Sequence, residues 1–141
     1  MIGFKKLDPR AQLPVYATPG AACCDLFALE GAVVYAGDAV TLRTGLAVNL
    51  PDGLTMLVHS RSGHGFKHGL RLGNSTGIVD SDYKGEIMVR LHNDGNTGYS
   101  VKAGERIAQA MFVETMQYPI VEVQDVGTSE RGEGGIGSTG K

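Results

Sequence analysis

The sequence predicts an all-β fold, a sandwich or barrel, on three observations. Short apolar runs of strand length recur along the 141 residues, with turn residues between them. No long stretch carries a helical period. Glycine fills 21 positions, about twice the usual share, and its spread along the chain fits many turns and not one low-complexity segment.

The elements follow in order. Phe4–Leu7 is the first strand. Pro19-Gly20 breaks the chain before Cys24–Ala28, an apolar run that Asp25 enters. Gly37-Asp38 separates Ala32–Tyr35 from Ala39–Arg43, and Leu46–Asn49 comes next. Pro51-Asp52-Gly53 turns the chain into Leu54–Ser60. One short helix is predicted over Ser62–Lys67 with Ser60 and Ser62 as caps, against the low propensity of Gly63 and Gly65. Gly73–Glu86, reading GNSTGIVDSDYKGE, predicts a hairpin: a strand ending in Ile78 and Val79, a tight turn through Asp80, Asp82 and Tyr83, and a return strand. Glu86–His92 alternates most clearly, with Ile87, Val89 and Leu91 on one face and Glu86, Met88, Arg90 and His92 on the other. Met88 is the odd member of that polar face and a candidate ligand contact; a partly covered Met is the ordinary alternative. Asn93-Asp94-Gly95-Asn96 leads to Tyr99–Val101, and Arg106–Glu114 and Ile120–Val123 complete the set.

The length fits one domain with a real core, built from aliphatics because there is no Trp and only four Phe and five Tyr. A net charge of −2 offers no basic field for a nucleic-acid polymer, although a few local Arg and Lys suffice for a small anion. No apolar run approaches a membrane span, and the first residues lack a signal-peptide pattern, so the expected location is the cytoplasm, or the host cytoplasm for a viral source. Cys23 and Cys24 are adjacent and have no third cysteine as partner, so both read as reduced thiols, and a bare Cys-Cys is a poor metal site. Residues 1–126 read as the folded domain. Residues 127–141 hold six glycines and one aliphatic, Ile136, and cannot offset their ordering entropy by burial.

Five segments carry polar residues without an obvious structural task. In Pro19–Ala28, Asp25 follows small residues; alone it reads as a turn or strand-edge Asp. Ser60-Arg61-Ser62-Gly63 could bind an anion at a helix start, with Arg61 as a bidentate fork, or could be an ordinary cap. The third is the hairpin, a narrow slot walled by main chain with a carboxylate and a ring at its rim. Such a slot can read a planar base while an acid aims water at a nearby phosphorus. In Gly104–Phe112, Gln109 interrupts an apolar strand and must satisfy its amide. Arg131–Gly140, RGEGGIGSTG, has the composition of a phosphate-cradling loop without the P-loop spacing, and on composition alone is a disordered tail. The four histidines carry no metal spacing of the H-E-x-x-H kind.

The joint occurrence of these segments, in this order, resembles the trimeric dUTPase family. The resemblance runs from Leu13 to Thr139 and covers the family's five motifs, of which GIVDSDYKGEI and RGEGGIGSTG are the most specific. It implies a jelly-roll-like β-barrel with a flexible C-terminal arm, and a homotrimer whose active sites are shared between subunits. The hairpin would come from one chain, the segments around Asp25, Arg61–Gly63 and Gln109 from a neighbour, and the arm from the third. The implied reaction is hydrolysis of dUTP to dUMP and pyrophosphate, which keeps uracil out of DNA and supplies dUMP for thymidylate synthesis.

The resemblance also implies residue roles. Asp80 matches the carboxylate that activates water for in-line attack on the α-phosphorus, and Asp82 would support the turn. Tyr83 matches the ring against the deoxyribose, leaving no room for a 2′-hydroxyl. Asn74 and the backbone of Gly77, Ile78 and Val79 match the uracil-reading groups. Arg61, Ser62, Gly63 and Gln109 match phosphate-side contacts. Arg131, Ser138 and Thr139, with Gly137, match the arm's γ-phosphate contacts, and Ile136 stands where the family usually has a Phe that stacks on uracil. Mg²⁺ would sit mainly on the triphosphate, with Asp25 holding it through water. Two further departures are Ser60, where a Pro usually stands, and Cys24, where Tyr or another large residue is common. Activity is expected to survive these, with the effect of Ile136 mostly on KM. Three other readings stay open: a dCTP deaminase or bifunctional deaminase of the same fold, a dUTP-sensing regulatory protein, and a structural jelly roll, which leaves the five polar segments unexplained.

Overall fold

The structure is a computed structural model that describes residues 1–139. Among them the order is β1 (Gly3–Lys6), β2 (Val15–Tyr16), β3 (Cys24–Phe27), β4 (Ala32–Val34), β5 (Ala39–Arg43), β6 (Leu46–Asn49), β7 (Leu54–His59), α1 (Ser62–His68), β8 (Leu70–Leu72), β9 (Thr76–Val79), β10 (Met88–Asn93), β11 (Tyr99–Val101) and β12 (Arg106–Glu114). The ladders are antiparallel. The largest sheet runs β2-β3-β12-β7-β9, a second runs β5-β10-β8, and β1-β6 and β11-β4 are two-stranded ribbons.

The two larger sheets meet through side chains. Leu26, Met56, Val58 and Ala110 from the first share one buried cluster with Leu42, Leu72, Val89 and Leu91 from the second. Strand β10 shows how the pattern makes the layer. Val89 and Leu91 are each 1% exposed, whereas Met88 between its buried neighbours is 48% exposed. Each fully buried side chain of this kind is worth about 1.5–3 kcal/mol, so a one-residue slip of β10 would forfeit several such terms. The all-β class with one short helix is the class predicted. Hydrogen bonding leaves the sheets open, and packing between layers joins them.

Four expectations change. The chain does not fold Gly73–Glu86 into a paired hairpin: β9 pairs with β7, and β10 pairs with β5 and β8. The two arms belong to different sheets, and the Asp80–Tyr83 turn, closed by the Tyr83 N–H donating to the Asp80 carbonyl at 3.2 Å, crosses between them. Second, Ile120–Val123 forms no strand, and Ile120 is 98% exposed. Third, Val15–Tyr16 and Leu70–Leu72 are strands too short to stand out in the sequence. Fourth, neither serine caps α1. Arg61 occupies the N-cap with extended backbone and no side-chain cap bond, and the Ser60 Oγ instead accepts the Leu72 N–H at 2.8 Å. The helix stops at Gly69, whose φ is 68°. A Cβ there would lie 2.7 Å from the Gly95 nitrogen, so both conformation and space require glycine.

Candidate active site

Sheet register assembles the first cluster. Gln109 of β12 lies opposite Asp25 of β3 on one side and His59 of β7 on the other. β7 then runs straight into Ser60 and Arg61. A cleft therefore forms from Asp25, Arg61, Ser62, Gly63, Arg106 and Gln109, with Cys23 and small alanines at its edge. The Arg61 Nε stands 3.4 Å from the Asp25 Oδ1, and the Arg106 Nη1 stands 3.3 Å from the Oδ2. The Arg61 Nη1 also donates to the Arg106 carbonyl at 2.9 Å, and the Gln109 Nε2 donates to the Ser60 carbonyl at 3.0 Å. Two guanidinium groups against one carboxylate leave the cleft net positive, ready for an anion.

Arg106 had no place in the sequence expectations. Strict alternation puts it on the face opposite Gln109. The register shifts between Arg106 and Ala108, and Ile107 and Ala108 are both buried. That bulge turns Arg106 onto the side of Gln109.

The second cluster is a slot of about 210 Å³ between β9 and β10. Asn74, Gly77, Ile78, Val79, Tyr83 and Met88 line it, joined by Glu86 and Arg90, which the sequence reading did not single out. β9 is the edge strand of its sheet, so the main-chain groups facing away from β7 are available to a ligand in the slot. The turn before β9 is tight: the Thr76 N–H donates to the Asn74 carbonyl at 2.6 Å, and Ser75 has φ 62°, the one non-glycine in the left-handed region among the described residues. At the rim, the Tyr83 hydroxyl donates to the Glu86 carbonyl at 2.9 Å. A Cβ at Gly85 would meet the Tyr83 Oη at 2.5 Å, so that glycine lets the ring fold back over the turn.

Asp80 lies past the end of β9 and faces a different cleft, with Asp52, Thr55, Leu57, Asp82 and Val113. Ile78 is the residue common to this cleft and the slot. Within one chain Asp80 and Arg61 are far apart. Val79 is level with Met56 on β7, five residues before Arg61, a separation of roughly 17 Å at about 3.4 Å per residue.

The third group, Arg131, Ile136, Gly137, Ser138 and Thr139, lies on an exposed arm that lines none of these clefts. Local turns shape it, with the Gly134 N–H donating to the Arg131 carbonyl at 3.0 Å and the Ser138 N–H to the Gly135 carbonyl at 3.2 Å. Ile136 is fully exposed. Gly140 and Lys141 of the predicted arm lie outside the described residues. Cys23 and Cys24 are free thiols; burial pushes the Cys24 thiol up, and its Sγ donates to the Ala110 carbonyl at 3.5 Å.

An edge strand that can read a flat ring, an acid-bearing turn beside it and a separate arginine cleft define a class: an all-β protein built to handle a phosphorylated planar ligand. The family model for dUTPase matches residues 9–140. A deoxyuridine 5'-triphosphate nucleotidohydrolase of Tolumonas auensis is 49% identical over 99% of this chain and 97% of its own length. The proteins of the same name from Pectobacterium carotovorum and Nautilia profundicola are 46% and 43% identical, each over 97% of its own length. Among solved structures, the Staphylococcus bacteriophage 80alpha dUTPase with dUPNHPP superposes with a TM-score of 0.92 at 27% identity, covering 100% of this chain and 99% of that one. The chain belongs to the dUTPase family.

Proposed function

We propose that this protein hydrolyses dUTP to dUMP and pyrophosphate, with Asp80 activating the attacking water. The observation that carries the reading is the slot along the free edge of β9, with Asn74 and Tyr83 among its lining residues. Uracil presents acceptor, donor, acceptor along its pairing edge, which an edge strand's carbonyl and N–H groups complement. Cytosine would set its amino group against a main-chain donor, and an unpaired buried donor costs about 1–3 kcal/mol. In this reading the main-chain walls exclude a 5-methyl group, and the ring of Tyr83 against the sugar excludes a 2′-hydroxyl.

Arg61, Ser62, Gly63, Gln109 and Arg106 bind the phosphates, and the arm of residues 127–141 closes over the nucleotide through Arg131, Gly137, Ser138 and Thr139, with Ile136 over the base. Mg²⁺ fits this site indirectly. Among the described residues no group of three or more His, Cys, Asp or Glu is arranged to hold a metal, and the Asp25 carboxylate, shared by two arginines, keeps lone pairs that can accept from a metal-bound water. When bound, the ion neutralises triphosphate charge and fixes its geometry.

The active unit in this reading is a homotrimer in the cytoplasm. Support comes from the separation of Asp80 and Arg61 within one chain, and from apolar surface that a single chain leaves bare. Ile78 is 68% exposed, and Met116, Ile120 and Val126 on the way to the arm are 74%, 98% and 94% exposed. The test is a pyrophosphate assay with dUTP, dTTP, dCTP and UTP in the presence of Mg²⁺. Hydrolysis of dUTP alone is expected. Equal cleavage of dTTP and dUTP would rule out the edge-strand reading, and ammonia from dCTP would favour a deaminase of the same fold.

A further inference from the structure

Helix α1 carries Ser62 and Gly63, yet little local chemistry explains its stability. It spans seven residues, has no side-chain cap and no acid in its first turn, and contains two glycines. A helix so short is unstable alone and needs tertiary contacts. Its one buried residue is His64.

The His64 Nε2 lies 3.1 Å from the Glu105 Oε1. The Tyr99 hydroxyl donates to that same oxygen at 2.6 Å, and the Lys102 N–H donates to the Glu105 Oε2 at 2.9 Å. The ring of Tyr99 meets the ring of His64 edge-on at 5.4 Å and the ring of His68 at 4.7 Å. The His64 Nδ1 is buried without a partner. A carboxylate only accepts, so the proton belongs on Nε2 and Nδ1 carries the bare lone pair. Glu105 is also fixed through its backbone, since its carbonyl accepts the Ala28 N–H at 2.8 Å. The next residue is Arg106, whose carbonyl accepts from Arg61 and whose side chain reaches Asp25.

We propose that His64, Tyr99 and Glu105 form a positioning clamp that ties the start of α1 to the turn before β12 and so sets Arg61 and Ser62 at the spacing the triphosphate requires. This rests on the phosphate role given to Arg61 and Ser62 above. None of the three clamp residues lines the slot or the two clefts described above. The charged and polar groups that act on the imidazole are Arg61 at the helix N-cap, His68 one turn on, Tyr99 on β11 and Glu105 in the turn.

The test compares His64→Leu, His64→Gln and Tyr99→Phe with wild type in steady-state dUTP hydrolysis. Leu keeps the volume and removes the donor; Gln keeps an N–H near the place of Nε2. The expected result is a KM for dUTP raised about three- to tenfold in the Leu and Phe variants with kcat within about twofold, and recovery of most of the loss in the Gln variant. Competitive inhibition by deoxyuridine, which has no phosphate, should not change. Unchanged KM in His64→Leu overturns the clamp, as does a parallel loss of deoxyuridine binding. If the Leu variant does not fold, unchanged KM in Tyr99→Phe overturns it. An Arg61→Gln control separates the two readings: if its KM is normal, the phosphate assignment has failed; if it is raised while the clamp variants are normal, only the clamp has.

Discussion

Asp80 and Asp82 share a four-residue turn, and their neighbours separate their tasks. Asp80 follows the end of β9, one residue after Val79, whose main chain lines the slot proposed for uracil. Asp82 is further along the turn, whose shape is held by the Tyr83 N–H on the Asp80 carbonyl and by the Lys84 Nζ on the Ser81 carbonyl at 2.8 Å. Asn is isosteric with Asp but cannot take a proton from water. Asp80→Asn should therefore lower kcat by about 10²–10⁴-fold with little change in KM, whereas Asp82→Asn should keep most activity. Full turnover in Asp80→Asn would remove the base assignment. Legibility at this scale depended on the backbone. Ile87, Val89 and Leu91 were readable as core because β10 keeps strict alternation. Arg106 was not, because a bulge two residues before Gln109 reverses its face, and no residue type announces a bulge of this kind.

At the scale of elements, strands with apolar faces were readable and their partners were not. The turn chemistry of Asp80–Tyr83 pointed to a hairpin because adjacent strands joined by a short turn usually pair. Here each arm finds a better ladder elsewhere, β9 on β7 and β10 between β5 and β8, and the gap they leave is the slot. A paired hairpin would have filled it. Ile120–Val123 has strand composition, but its apolar side chains face solvent and no strand of this chain pairs with it among the described residues. The arm follows the same logic. Its described residues are exposed and held only by local turns, so the proposed closure over nucleotide would cost ordering entropy that new contacts must offset. Removing residues 127–141 should lower kcat/KM for dUTP by more than about tenfold while the thermal midpoint of the folded body stays in place. Ile136→Phe should lower KM, because a ring adds stacking worth about 1–3 kcal/mol per base that an aliphatic side chain does not provide. Unchanged kcat/KM in the truncated protein, read by pyrophosphate release, would dissociate the arm from catalysis.

For the whole molecule, the decisive quantity is the distance between Asp80 and Arg61. Antiparallel pairing of β7 and β9 sends the acid to one end of the sheet and the arginine to the other. The proposed mechanism puts the α-phosphorus beside Asp80 and the outer phosphates on Arg61, and a triphosphate is too short to cover roughly 17 Å of strand. In the proposed homotrimer one chain would present half of two sites, and assembly around a threefold axis would join the Asp80 of one chain to the Arg61 of the next. Complementation tests this. Assayed at dUTP well below the wild-type KM, where a raised KM and a lowered kcat both cut the rate, Asp80→Asn and Arg61→Gln should each be nearly inactive as purified proteins. When the two are unfolded together and refolded at equal concentration, a site works only if its Asp80 comes from the arginine variant and its Arg61 from the aspartate variant. Random assembly makes that combination about one site in four, so pyrophosphate release should recover to about a quarter of the wild-type rate. A mixture as inactive as its components would mean that both residues serve a site within one chain, and that the chain bends in solution far from the arrangement of β7 and β9.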